Sequence, residues 1–374
     1  MKSQVSIVKC PDYNPLLVQK ATKEAIDLLG GISDFIKPKS RVLVKPNLLM
    51  AKGPECAITT HPEVVRAVIK ILKEIECKIF VGDGPSVFGD QMSKVREVYA
   101  CSGIENVCHE ESVELVEFDK KRWRGKFPLT TWLDDCDSIV NIPKFKTHNL
   151  TILTGAIKNL FGLVYGTFKV ELHKQHFDRE EFSDILVDVY QEVRPEFTIV
   201  DGIVSLEGDG PSTSGKPRNT GILLAGLDCV AIDSILAVFM GLKPEDILTT
   251  KKAAQRNLGI SDLNSIIILG EKLEDVMKKP VMLPVTAFSL NRRLREPIIK
   301  MAMRLIKYYP LIMGESCIGC SVCMRACPHK AITMKNERMI IEYARCQACF
   351  CCQEACPNAA IKVKRNIFAK ILGW

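Results

Sequence analysis

Short apolar runs and amphipathic stretches alternate along most of this chain. Residues 5–10 (VSIVKC) predict a strand, and about 15–29 predict a helix. Residues 41–46 (RVLVKP) predict a second strand, followed by a helix at 61–75 with Pro62 at its first position. Residues 78–84 (KIFVGDG), 138–143 (SIVNIP) and 197–202 (FTIVDG) are continuous apolar, β-branched runs ending in polar or glycine-rich turns. Residues 221–226 (GILLAG) lead into a helix containing Asp228 and Asp233, and 265–270 (SIIILG) close the series. Strands apolar on both faces and separated by helices predict an α/β fold, a largely parallel sheet with helices on both faces. Ligands of such folds sit beyond the C-terminal ends of the strands, so the loops after Val44, Val81, Ile142 and Val200 are where a site is expected.

The pattern changes after about residue 271. Residues 290–309 carry Arg292, Arg293, Arg295, Lys300, Arg304 and Lys307 against Glu296, with Leu294, Ile298, Met301 and Leu305 at helical spacing. This predicts a basic amphipathic helix, and 364–374 repeats the type on a smaller scale. The expected organisation is an α/β domain over 1–285, the connecting helix within 286–313, a small α+β module over 314–363, and a basic tail over 364–374.

Cysteine sets this sequence apart, with 16 in 374 residues. Cys317, Cys320, Cys323 and Cys327-Pro328 form one C-x₂-C-x₂-C-x₃-C-P run, and Cys346, Cys349, Cys352 and Cys356-Pro357 form another. That spacing is the ligation pattern of bacterial two-cluster ferredoxins, in which the fourth Cys of each run serves the other cluster. The expected cofactors are two [4Fe–4S] clusters. One is held by Cys317, Cys320, Cys323 and Cys356, the other by Cys346, Cys349, Cys352 and Cys327. Zinc is the competing reading, but its sites use pairs of C-x-x-C or include His. Cys351, inside the second run, is expected to be a bystander because Cys352 keeps the register.

Charge matters by location, since the net excess is only +7. In residues 137–162 no acid follows Asp137, whereas Lys144, Lys146 and His148 alternate and Lys158-Asn159 follows. In an extended segment the first three point to one side. With Lys45 and Asn47 beyond another strand, they are expected to ring an anion. The competing reading is a solvated basic surface. Asp83 and Asp201 end apolar strands and are candidates for acid–base work or metal binding, or simply cap turns. Glu207, Asp209, His173 and His176 are weaker candidates. Gly210 to Lys216 matches a phosphate-loop pattern, but Pro217 stands where the magnesium-binding hydroxyl belongs and a strand is expected next, so no nucleotide loop is predicted.

The segments NIPKFKTHNLTILTGAIKNLFG (141–162), VKPNL (44–48) and VDGIVSLEGDGPSTSG (200–215), with the C-terminal cysteine runs, resemble the family known as domain of unknown function 362. The resemblance implies an iron–sulfur protein with an α/β domain and names no reaction.

The functional expectation is an iron–sulfur redox protein, in the manner of a ferredoxin-type oxidoreductase, exchanging electrons with an anionic substrate or cofactor at the Lys/His/Asn rim. The alternative is an electron-transfer protein whose α/β domain is a docking or regulatory platform without catalysis. Either needs a redox partner protein. Nucleic acid is not expected as a partner, because basic residues are not interleaved with stacking aromatics, which make up 7% of the chain. Residues 290–309 and 364–374 are the segments that would touch a membrane surface. The first residues lack a signal-peptide core, and no apolar run reaches the ~18 residues of a membrane span, so a reducing, cytoplasmic setting is expected.

Overall fold

The structure is a computed structural model describing residues 2–85, 92–166, 168–176, 178–277, 279–290 and 307–366. A ten-stranded sheet forms its centre. In chain order the first twelve strands are β1 (Ser3–Lys9), β2 (Arg41–Pro46), β3 (Lys78–Val81), β4 (Glu114–Leu115), β5 (Lys121–Arg124), β6 (Phe127–Thr130), β7 (Ser138–Ile142), β8 (Lys144–His148), β9 (Ile152–Thr154), β10 (Phe197–Gly208), β11 (Gly215–Gly226) and β12 (Ile266–Gly270). Across the sheet the order is β12-β1-β11-β10-β7-β2-β3-β4, with β8 beside β10 and paired to β9. β5 and β6 form a separate hairpin.

Neighbours from β10 through β7, β2 and β3 to β4 run parallel, as do β1 and β12. β11 runs against both of its neighbours. Its reversal has a local cause, because the short 209–214 connection from β10 permits a hairpin but not a helical crossover.

Alternate strand residues feed two cores. Val42 and Val44 of β2 and Ile79 and Val81 of β3 pack on one face, with Val64, Val68 and Tyr99. Leu43 and Phe80 face the other side, with Phe145, Ile157, Leu186 and Leu236. This period of two within continuous apolar runs is what helices on both faces require. The helices begin where local chemistry lets them. Asn14 accepts from Leu16 N and Leu17 N at the start of Pro15–Asp27. His61 Nδ1 accepts from Glu63 N (3.2 Å) at the start of Pro62–Glu74, and Asp228 caps Cys229–Phe239.

The C-terminal module has its own small core of Cys323, Ile332, Met339, Ile341, Cys352, Cys356 and Ile361. Strands β13 (Tyr308–Ile312) and β16 (Ile361–Arg365) pair antiparallel, and β14 (Ile332–Lys335) and β15 (Arg338–Ile341) form a hairpin. This differs from the sequence reading, which ended a helix at Tyr309 and began the module at 314. Tyr308 and Tyr309 are extended because β16, more than fifty residues later, supplies their partner strand. Likewise Lys364 and Arg365 belong to β16 and not to a tail. The rest of the basic helix expected over 290–309 and of the tail over 364–374 lies outside the described residues.

Candidate functional site

The two cysteine runs fold as a repeat. Gly319 and Ala348 take positive φ (70° and 53°), and so do Ser321 and Phe350 (61° and 60°). Each loop thereby curls around its three thiols. Cys317, Cys320, Cys323 and Cys356 line one cavity, and Cys327, Cys346, Cys349 and Cys352 line another. Backbone amides point at the outer sulfurs, Ala331 N to Cys327 Sγ (3.2 Å) and Ala360 N to Cys356 Sγ (3.3 Å). Such bonds raise the potential of a cluster held there. Four thiols around one hollow match the donor set of a four-iron cluster. Cys351 lines neither cavity. It is buried, next to Cys349.

That helix, Cys351–Ala355, is entirely buried against the α/β domain. The loop between β10 and β11 holds it there. Ser212 Oγ donates to Gln353 O (3.1 Å), Thr213 Oγ1 to Cys356 O (2.8 Å) and Ser214 Oγ to Ile361 O (3.2 Å). Gln353 Nε2 donates to Asp209 O, while its Oε1 accepts from Asn149 Nδ2 (2.7 Å). The stretch that resembled a phosphate loop thus clamps the module through its hydroxyls.

Beside this contact lies a small cavity of about 40 Å³. Asn47, Asp83, Lys146, Thr154, Lys158, Asn159 and Lys169 line it from the α/β domain, and Glu354 from the module. The strands deliver these groups as a parallel sheet should. Asn47 follows β2, Asp83 follows β3, and Lys146 lies on β8, all beyond the C-terminal side of the main strands. Lys158 and Asn159 ride on the turn Ala156–Asn159, whose first amides bind Asp233: Ala156 N at 2.6 Å and Ile157 N at 3.2 Å. Burial pushes the Asp233 carboxyl up to about 7.

Lys45, expected to ring the anion, does not line the cavity and lies behind Asp83. Its ammonium is fully buried, 2.7 Å from Asp83 Oδ1, and donates to Pro46 O. Gly162 packs so closely over this pair that a Cβ would meet Asp83 Oδ1 at 2.1 Å and Lys45 Nζ at 2.7 Å. Lys146 donates to Ile58 O (2.6 Å), and Lys169 donates to Gly84 O and Gly162 O. Burial pushes both lysines down to about 7, with neighbouring Lys158 adding to the effect on each. Burial also lowers Lys158, against the pull of Glu354 and Cys351.

The remaining sequence candidates lie elsewhere. Lys144 does not face the cavity. Its ammonium binds Asp201 Oδ2 (2.8 Å) and Tyr13 OH (2.7 Å), and both charged side chains are fully buried. Asp201 also accepts from Tyr13 OH and His61 N, and the Tyr13 and His61 rings stack at 3.5 Å. Every strong donor here is satisfied, which makes Asp201 and Lys144 a structural knot. His148 is buried behind the cavity, with Nδ1 accepting from Leu150 N and Thr151 N and Nε2 3.8 Å from Glu354. Burial holds it well below the usual histidine range, hence neutral. His173 is stacked on Phe182 and lowered by burial to about 3. Glu207 pairs with Arg218, and Asp209 accepts from Val285 N.

Three cavity residues were not singled out as ligands from sequence. Lys169 stands in a helix well away from the strand ends in sequence. Thr154 carries no local signal. Glu354 is hidden inside a cysteine run, and only docking of the module brings it to the lysines.

Residues 42–238 match the family model described as domain of unknown function (DUF362), more than half of the chain. The chain belongs to this family. Residues 309–357 match a 4Fe-4S dicluster domain, a range holding all eight cysteines of the two cages. The family segment holds every α/β side chain that lines the cavity. Thylakoid-associated protein sll1697 of Synechocystis is 32% identical over 319 residues, covering 82% of this chain and 97% of that protein. The lactate racemase apoprotein from Thermoanaerobacterium thermosaccharolyticum is similar at a TM-score of 0.36 and 15% identity. The match covers 61% of this chain and 54% of that one. Among the described residues, no helix is long and apolar enough to cross a membrane.

Proposed function

We propose that this chain is an iron–sulfur electron-transfer protein that exchanges electrons between two [4Fe–4S] clusters and an anionic small molecule in the lysine cavity. Cys317, Cys320, Cys323 and Cys356 hold one cluster, and Cys346, Cys349, Cys352 and Cys327 the other. A bound cluster of this type supplies single-electron chemistry at low potential. The observation that carries the reading is the helix Cys351–Ala355. It presents Cys352 to the second cage and Glu354 to the cavity. The chain's own residues then have distinct tasks. Lys158 and Lys169 attract the anion, Asn47 and Thr154 orient it, and Lys146, held near 7 by burial, can give up or take a proton. Asp83 pairs with Lys45 behind the lining, opposing the burial that lowers that lysine.

The first cage is the expected side for a redox partner protein, because Cys320 is exposed and Ile318 beside it is 74% exposed. Contact with a membrane surface through 290–309 and 364–374 is an accessory proposal, in line with the relative being a thylakoid-associated protein.

The test is an anaerobic preparation analysed in two ways. Iron and sulfide should each reach about eight per chain, as two four-iron clusters require. Redox titration followed by electron paramagnetic resonance should show one of two signals shifted to lower potential in Lys158→Met, since a neighbouring positive charge favours the reduced cluster. If neither signal moves, cluster and cavity are uncoupled, and the α/β domain is a platform without a redox ligand.

A further inference from the structure

The cavity's own hydrogen bonds restrict what can occupy it. Asn141 Nδ2 donates to Ala156 O (3.1 Å) and Thr198 Oγ1 (3.4 Å). A backbone carbonyl only accepts, so the orientation of this amide is fixed. Asn141 Oδ1 therefore accepts from Asn159 Nδ2 (2.8 Å), and Asn159 Oδ1 accepts from Asn47 Nδ2 (2.9 Å). The chain of three amides ends on Asn47 Oδ1, a buried acceptor without a hydrogen-bond partner among the described residues. Thr154 Oγ1 is a second buried polar atom in that condition. Both residues line the cavity, and so does Lys158, whose ammonium has no hydrogen bond or ion pair among the described residues.

Charge points the same way. Lys45, Lys146, Lys158 and Lys169 stand against Asp83 and Glu354 alone, so the site lacks negative charge when all are ionised. Unpaired buried ammonium groups are costly. Size is the third restriction. At roughly 10–15 Å³ per water-sized occupant, a cavity of about 40 Å³ has room for a small occupant of a few non-hydrogen atoms.

Resting on the function proposed above, we propose that the ligand is a small hydroxylated oxyanion. It is a carboxylate or inorganic oxyanion of only a few non-hydrogen atoms. Its charged oxygens face Lys146, Lys158 and Lys169, and its O–H donates to Asn47 Oδ1. Thr154 serves as donor or acceptor beside it. On this reading nucleotides, dinucleotides and tricarboxylates are too bulky to enter fully.

Isothermal titration of the full-length, cluster-loaded protein under anaerobic conditions at pH 7.5 tests this with matched probes. Hydrogen carbonate and acetate have nearly the same shape, and so do glycolate and propionate, but only the first of each pair has a hydroxyl. The hydroxylated member should bind at least tenfold tighter. Asn47→Ala should bring the ratio close to one, and Lys158→Met should weaken both members of each pair at least tenfold. Citrate and ADP should not displace glycolate. Equal affinities within both pairs would overturn the hydroxyl requirement, and displacement by citrate would overturn the size limit. In either case the broader anion site stands if Lys158→Met still weakens binding. No binding of any probe, or probe binding that ignores Lys158→Met, would remove the ligand class and the anion site together.

Discussion

Asp201→Asn removes one charge from a place with no water and leaves Lys144 to bear the consequence. Both side chains are fully buried, 2.8 Å apart. The new amide keeps an acceptor for Tyr13 OH, but its NH₂ then faces the Lys144 ammonium and His61 N, both donors. Removing one partner of a buried ion pair costs about 3–5 kcal/mol. At about 2–4 °C per kcal/mol for a domain of this order, Tm should fall by roughly 6–20 °C. The loss should depend on pH. Burial already lowers Lys144, opposed by Asp201. Without Asp201 the native lysine loses its proton earlier still, while the unfolded lysine keeps its proton to about 10.4. Between those values the unfolded state binds more protons, so the variant gains stability as pH rises. Lys144→Met with Asp201→Leu should recover most of the loss, because apolar replacement of a buried pair is often neutral. Anaerobic guanidinium unfolding followed by circular dichroism, with iron content measured in parallel, checks all three. A variant that unfolds like the wild type but no longer binds glycolate would mean that Lys144 serves the ligand and that the structural knot was misread.

Three further expectations concern the cavity and the cages. Lys146 and Lys169 are held near 7 by burial, and an anion favours their charged forms. Glycolate affinity should therefore fall as pH rises through 7, and titration at pH 8 in two buffers should reveal proton uptake; pH-independent binding would count against both lysines. Asp233→Ala removes the acceptor for Ala156 N and Ile157 N, which should cost about 0.5–2 kcal/mol and weaken glycolate binding by displacing Lys158. Wild-type affinity in a destabilised variant would show that the turn holds itself. Finally, Cys327→Ala should abolish the same spectroscopic signal as Cys349→Ala, and Cys356→Ala the same signal as Cys320→Ala. The opposite pairing would refute the crossed ligation.

The local record of this sequence was strong. Apolar runs such as Val42-Leu43-Val44 and Ile79-Phe80-Val81 named their own strands, because only a strand covered on both faces makes every position apolar. Pro62 marked a helix start through chemistry confined to one turn. The cysteine spacing announced a 4Fe-4S dicluster module, since a loop that wraps three iron corners needs fixed short gaps. The concentration of Lys and Asn after the strands pointed to the C-terminal ends of the strands, where the small cavity lies.

Tertiary structure decided which of those residues share a space. Lys144 and Lys146 look equivalent in sequence, two positions apart on one strand. One meets Asp201 and Tyr13, the other lines a cavity, because the strand passes from β10's Asp201 toward the Ile58 loop between them. Glu354 joins the lysines only when the module docks, a contact between segments some two hundred residues apart along the chain. Tyr308 and Tyr309 became strand because β16 waits for them. Periodicity and spacing record what a residue does with neighbours a few positions away. Charge pairing, cavity size and the direction of an amide chain depend on atoms brought together by the whole fold, and those are what single out one kind of ligand.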